Sequence, residues 1–277
     1  MHRRSRRIAR RLAFAALLVS AGALAQPPKA PAKGHGTIAR RGAVPGGAAP
    51  AQYTQAMVGW HAPTAGQSAT LDASGRPMLV FKTLNHNETV AVAAAGERGG
   101  FAASDLDKIA HVLRSASGDE HPMDPRTIDI LYRIQAHFGA QEIRVVSGYR
   151  VPKPNNHSNH GKGRAIDFIL PGVPDVEVAK FAREIGFVGV GIYPTSQFVH
   201  VDIRPRSYFW VDYSGPGKRN RERGIMGDLA LKSDQAALAR GERPIEPFGV
   251  APDVDAALRA MAPLPTPPDE DDDDSDG

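Results

Sequence analysis

The chain of 277 residues contains no cysteine. That excludes disulfide stapling, thiolate metal sites and cysteine nucleophiles, so stability must come from core burial and any bound metal. After residue 25 no segment is apolar enough to span a bilayer, which takes ~20 apolar residues. There is no internal repeat. No lysine/arginine stripe interleaved with aromatics is present either, so nothing argues for nucleic acid as a partner.

What is present is unevenly spread. Six arginines between Arg3 and Arg11 precede the apolar run Leu12–Ala25, and Ala23-Leu24-Ala25 puts small residues at the −3 and −1 positions of a cleavage site. Residues 1–25 therefore read as a signal peptide, of the Sec type or, through Ser5-Arg6-Arg7, the twin-arginine type. The mature protein is expected to be exported to the periplasm without stable membrane insertion. Residues 26–75, rich in alanine, proline and glycine, read as a flexible linker that orders only near its end. Residues 76–213 read as one folded domain. Residues 214–277 read as an extension whose acidic end, from Asp269, is disordered by self-repulsion. Leaving out the signal arginines and the seven tail acids, 28 basic residues face 23 acidic ones, a mild excess that suits a polyanionic wall surface.

Within the folded part, alternation predicts a hairpin from Met78–Leu84 and Thr89–Ala93, strands over 142–147 and 164–170, and a second hairpin from Val188–Tyr193 and Phe198–Ile203. Ser104 is expected to cap one helix. Asp124 and Pro125 open another that stops at Gly139, and a third runs from Asp175 to Ile185. Short helices are expected at 235–239 and 253–261. The fold class is α+β: a mainly antiparallel sheet with flanking helices, as a single domain between disordered ends.

Three stretches carry chemistry: Ser147-Gly148-Tyr149-Arg150, then Ser158 to Asp167, then Phe198 to Asp202. His160, Asp167 and His200 offer two imidazoles and a carboxylate, a set that suits Zn²⁺ and leaves a fourth position for water. Asp167 sits in a strand whose other face, Ile166 and Phe168, is apolar. A carboxylate buried there is costly unless paired, hydrogen-bonded or bound to metal. The Gly161-Lys162-Gly163 turn can bring His160 back over that strand, and the three groups converge if the Asp167 and His200 strands are neighbours.

Taken together, Ser-Gly-Tyr-Arg at 147–150, His157-Ser158-Asn159-His160 with Gly163, Ala165 and Asp167, Val190 to Pro194, and Phe198 to Asp202 resemble a known family. It is the zinc D-alanyl-D-alanine metallopeptidases, similar in fold to hedgehog domains, and within them the murein endopeptidase K group. The resemblance covers roughly residues 77–213. It implies an exported zinc peptidase acting on peptide cross-links of peptidoglycan, with His160, Asp167 and His200 as metal ligands. It also implies Arg150 beside the scissile carbonyl or a substrate carboxylate, and Ser158 orienting a ligand or substrate. Tyr149 falls on the same substrate side, with packing as its alternative role. Many relatives place a carboxylate three residues before the last zinc histidine, where this chain has Gln197. Asp202 is the substitute general base, or else it orients His200 or an arginine; His157 is a second candidate. The segment from Arg150 to His157 is short for the family, and Ile203 to Trp210 replaces a Thr-Gly-Pro-like stretch. A D-amino-acid carboxypeptidase and a non-catalytic zinc-containing wall-binding module are the competing readings.

Overall fold

The computed structural model describes residues 49–64, 68–154, 158–218, 222–223 and 225–244. The signal peptide, the helix expected at 253–261, the acidic end and His157 lie outside the described residues. The elements in chain order are α1 (Ala51–His61), β1 (Leu79–Thr83), β2 (Thr89–Val92), α2 (Ala103–Val112), α3 (Pro125–Phe138), β3 (Ile143–Ser147), a 3-10 turn (Asn159–Lys162), β4 (Ala165–Ile169), α4 (Asp175–Ile185), β5 (Val188–Tyr193), β6 (Phe198–Ile203), β7 (Tyr208–Asp212), β8 (Glu222–Arg223) and α5 (Gly227–Ala239).

The strands form one sheet in the order β2-β1-β3-β4-β6-β5-β7-β8. The β1/β3 and β5/β7 pairs are parallel and the other five neighbouring pairs antiparallel, giving an α+β fold with a mixed, mostly antiparallel sheet. Opposite residues of an antiparallel pair share a face. In β4/β6, Ile166 faces Val201 and Phe168 faces Val199, and these four side chains join a buried apolar core with residues of α3 and α4 such as Ile128, Ile134, Val178 and Ala182. At a transfer value of roughly 25 cal/mol per Å² of apolar surface, this face supplies the main drive to fold.

Local signals explain the central helices. Asp124 caps α3 by accepting from the Arg126 N–H at 3.1 Å, Pro125 takes the first helical position, and Gly139 closes the helix in the left-handed region (φ 58°). Helix α2 begins one residue before the expected Ser104 cap, behind Ala102, with no side-chain cap bond.

The flanks differ from expectation. Helix α1 lies inside the stretch read as linker. It is held because buried Arg144 donates to the carbonyls of Gly59 (3.2 Å), Trp60 (2.7 Å) and Ala62 (3.0 Å), and cations are favoured at a helix C-terminus. Helix α5 begins at Gly227, eight residues before the expected short helix. Its Asp234 accepts from the Phe187 and Ser207 N–H groups, both at 2.8 Å. Its buried face consists of Ala230, Ser233 and Ala237.

Candidate functional site

The register of β4 and β6 creates the site. Asp167 stands directly opposite His200, and Ala165 opposite Asp202, so Asp167, His200 and Asp202 share the face turned away from the helical core. His160 arrives from the 3-10 turn. The turn closes at Gly163 (φ 64°), where a Cβ would come within 2.2 Å of the Pro122 carbonyl oxygen. Only glycine fits that position.

The three expected ligands converge. His160 Nε2 lies 3.3 Å from His200 Nδ1 and 3.4 Å from Asp167 Oδ1, and His200 Nδ1 lies 2.8 Å from Asp167 Oδ1. All three residues are buried. Metal–ligand bonds of ~2.0–2.1 Å in a tetrahedral arrangement put donors about 3.3 Å apart. The triangle is therefore of the size that a divalent cation would occupy.

The outer partners fix which atoms face inward. His160 Nδ1 lies 2.7 Å from the Gly148 carbonyl oxygen; a carbonyl only accepts, so Nδ1 carries the proton and Nε2 presents its lone pair to the triangle. His200 Nε2 lies 2.9 Å from Asp202 Oδ2 and donates to it, which directs Nδ1 inward. Such carboxylate–histidine and carbonyl–histidine contacts orient metal-binding imidazoles. Burial lowers the His160 pKa and outweighs the pull of Asp167, so the ring is neutral. Burial would also raise the Asp167 carboxyl, but the Arg150 guanidinium and the hydrogen bond from the protonated His200 imidazole hold it well below the usual carboxylate range. At His200 burial is overcome by the hydrogen bonds to Asp167 and Asp202, which push the imidazole up to about 9. In the metal-free protein its Nδ1 proton thus sits where a cation would.

Asp202 is 1% exposed, and besides His200 it accepts from Arg204 Nε (2.6 Å) and Nη2 (2.8 Å). Arg204 in turn lies over the rings of Tyr208 (5.1 Å) and Trp210 (5.3 Å). Space for this stack comes from β5. Gly189 and Gly191 pair with Asp202 and His200, and a Cβ on Gly191 would lie 2.4 Å from the Trp210 ring. Arg150 donates from Nε to Ser147 Oγ at 2.7 Å and pairs through Nη2 with Asp167 Oδ2, the oxygen outside the triangle; its side chain remains 51% exposed.

The cleft above the triangle holds about 710 Å³ and is lined by Arg150, Ser158, Arg204, Lys218 and the aromatics Tyr53, Tyr193, Phe198 and Trp210, among others. Ser158 lies at its edge and accepts from the His160 N–H at 3.3 Å. Tyr149 does not line it: the chain turns after β3 and the ring stacks on His121 at 4.8 Å, which is the packing role. Gln197 sits in the β5–β6 turn at φ 55°, its N–H on the Tyr193 carbonyl at 2.6 Å. Asp202, expected either as a base or as the residue that orients His200 or an arginine, is buried beside His200 with both oxygens engaged. Sequence reasoning missed the roles of Tyr53, Arg204, Trp210 and Gly189, and read Gly191 only as part of the motif from Val190 to Pro194. The departure from the family's usual residues after Asp202 was the available signal for Arg204 and Trp210.

Two buried imidazoles and a carboxylate at the floor of an open, cation-lined cleft define the class of metal-dependent hydrolases. Residues 72–208 match the family described as peptidoglycan L,D-endopeptidase MepK. A probable peptidoglycan L,D-endopeptidase MepK of Haemophilus influenzae is 34% identical over 142 residues, covering 46% of this chain and 76% of the relative. The peptidoglycan L,D-endopeptidase MepK of Escherichia coli K12 is 30% identical over 154 residues, covering 51% of this chain and 84% of the relative. No solved structure matches the chain at a significant level. The chain belongs to this MepK family of peptidases.

Proposed function

We propose that the protein is an exported, zinc-dependent endopeptidase that hydrolyses peptide cross-links of peptidoglycan, with residues 76–213 as its catalytic domain in a fold related to D-alanyl-D-alanine peptidases and hedgehog domains. The observation that carries this reading is the buried triangle of His160 Nε2, Asp167 Oδ1 and His200 Nδ1 beneath an open cleft. The export assignment rests on residues 1–25 alone. Among the described residues no helix is long and apolar enough to cross a membrane.

Zinc bound at the triangle would supply a Lewis acid and a water of lowered pKa. The chain's own groups do the rest. His160 and His200 present their inward nitrogens because Gly148 and Asp202 hold the opposite ones. Asp167 supplies a carboxylate that stays ionised across the working range. Arg150, tethered to Ser147 and Asp167 but half-exposed, is placed to donate to an amide oxygen as it gains charge. Ser158 anchors the His160 turn at the cleft edge. Of the two roles open to Asp202, its burial and its bonds to His200 and Arg204 favour orientation of His200 over proton transfer.

Two further readings have specific support. An engaged Asp202, and Gln197 at the sequence position where many relatives carry a carboxylate, favour a zinc-containing wall-binding module without catalysis. The half-exposed Arg150 guanidinium would equally grip the terminal carboxylate of a carboxypeptidase substrate. Incubation with purified cross-linked muropeptides, with and without chelator, separates the three. New amino termini inside the cross-link, lost with chelator, support the endopeptidase, whereas release of a terminal D-amino acid supports the carboxypeptidase. Binding without products leaves the module.

A further inference from the structure

Tyr53 stands out because the family match begins at residue 72, yet this side chain lines the cleft. It is carried there by α1, which is built in place rather than loosely apposed. Beyond the three carbonyls it caps, Arg144 donates from Nη2 to Thr64 Oγ1 at 2.9 Å and from Nε to Glu142 at 2.7 Å, so all its nitrogens are engaged. His61 Nδ1 lies 2.7 Å from the Met57 carbonyl, the Gly172 N–H donates to the His61 carbonyl at 2.9 Å, and Met57 is 1% exposed. This anchoring fixes the helix axis and, with it, the position of the tyrosine.

At the other end of the helix, the Tyr53 hydroxyl donates to the Ser196 carbonyl at 2.6 Å. Ser196 belongs to the β5–β6 turn that leads into the His200 strand. Its own hydroxyl donates to the Ser214 carbonyl at 3.0 Å, and Thr195 Oγ1 donates to the Tyr213 carbonyl at 2.9 Å. Both flanks of the family-matched core are therefore tied to the same turn, and the residues after Ser214 line the cleft with Tyr53. Having donated its proton to Ser196, the phenol oxygen keeps a lone pair that can accept an amide N–H. Burial, with Asp167 nearby, raises its pKa to about 12, so the group stays a neutral phenol.

We propose that Tyr53 is a substrate-positioning and specificity-determining residue. Its ring and oxygen form a wall of the cleft that holds an extended, carboxylate-bearing peptide strand, with Lys218, which lines the same cleft, as a cation that receives a carboxylate. The proposal rests on the peptidoglycan reading above. It acts on binding, so its signature is a change in KM with kcat preserved.

The test uses the full chain loaded with zinc, a cross-linked muropeptide dimer as substrate, and calorimetric binding of the uncross-linked tetrapeptide muropeptide. Tyr53→Ala is expected to raise KM and to weaken muropeptide binding about tenfold, with kcat within about threefold and zinc content unchanged. Tyr53→Phe keeps the ring and is expected to lose about threefold in binding, which guards against a folding defect in the alanine variant. Binding and KM equal to wild type in both variants would overturn the role of Tyr53 while leaving the peptidoglycan function intact. A wild-type protein that neither binds nor cleaves the muropeptides would overturn the function itself, and the Tyr53 proposal with it.

Discussion

The two faces of β4 and β6 are built from alternate residues of the same strands and obey opposite rules. On one face Ile166, Phe168, Val199 and Val201 are buried among other apolar side chains. On the other, Asp167, His200 and Asp202 are also buried, yet each meets specific polar partners. The first face is held by area, which is non-directional and tolerates swaps of similar volume. The second is held by directed bonds, and losing one partner leaves a buried polar group exposed to the full desolvation cost. A single register thus stabilises the fold on one side and sets up chemistry on the other. A one-residue slip would exchange the two faces.

The comparison is broken most sharply by neighbouring substitutions on opposite faces. Asp167→Ala removes a donor from the triangle and is expected to abolish detectable zinc binding and muropeptide cleavage, with the fold retained. Phe168→Ala, one residue on, is expected to cost about 3–5 kcal/mol of stability, while whatever fraction stays folded binds zinc with wild-type affinity. Denaturant melts and metal titrations of the two variants check this. If Phe168→Ala also lost zinc affinity in its folded fraction, the faces would not be independent.

Asp202→Asn sharpens the polar side. The substitution is isosteric but removes the charge that Arg204 and His200 both use. Outer partners of metal-binding histidines typically contribute 10–100-fold in affinity, so a loss of zinc affinity within that range is expected, with cleavage falling in parallel at limiting zinc and recovering at saturating zinc. Trp210, 5.3 Å from His200, provides a fluorescence readout for the titration. A cleavage defect that persists at saturating zinc would restore Asp202 as a proton-transfer group.

The sequence made the central strands and the donor set legible because both depend on short-range pattern. Alternation placed β5 and β6 at their observed limits, and Asp124-Pro125 with Gly139 marked the ends of α3 as found. The pairing that brings Asp167 opposite His200 was only conditional, since register depends on tertiary contact. The flanking helices were hidden for a different reason. Helix α5 buries Ala230, Ser233 and Ala237 while Leu229, Leu231 and Leu238 stay exposed, so its docking face carries no apolar period to detect. Helix α1 buries only Met57 and is fixed by an arginine from another part of the chain. Arg204 was hidden likewise, because its partners come from β5, β6 and β7 at once.

The finest test of the polar face is the pH dependence of the metal-free protein. His200 is sandwiched between Asp167 and Asp202, and its pKa stands at about 9 in the fold against an ordinary value of 6.5. A raised folded pKa stabilises the fold fully below 6.5, and that contribution is lost as pH rises through about 9. The groups around His200 do not titrate in this window: the Asp167 and Asp202 carboxyls are depressed below it, and His160, lowered by burial, is already neutral. Thermal melts of the metal-free protein are therefore expected to fall between pH 6.5 and 9, by at most about 1.4 kcal/mol per unit. Zinc competes for the same nitrogen, so affinity should rise over the same interval with release of a proton, and the loaded protein should show a shallower profile, in which His61, raised by its bond to Asp175, still titrates. A metal-free protein whose melting temperature is constant from pH 6.5 to 9 would mean that His200 does not hold its proton between the two carboxylates.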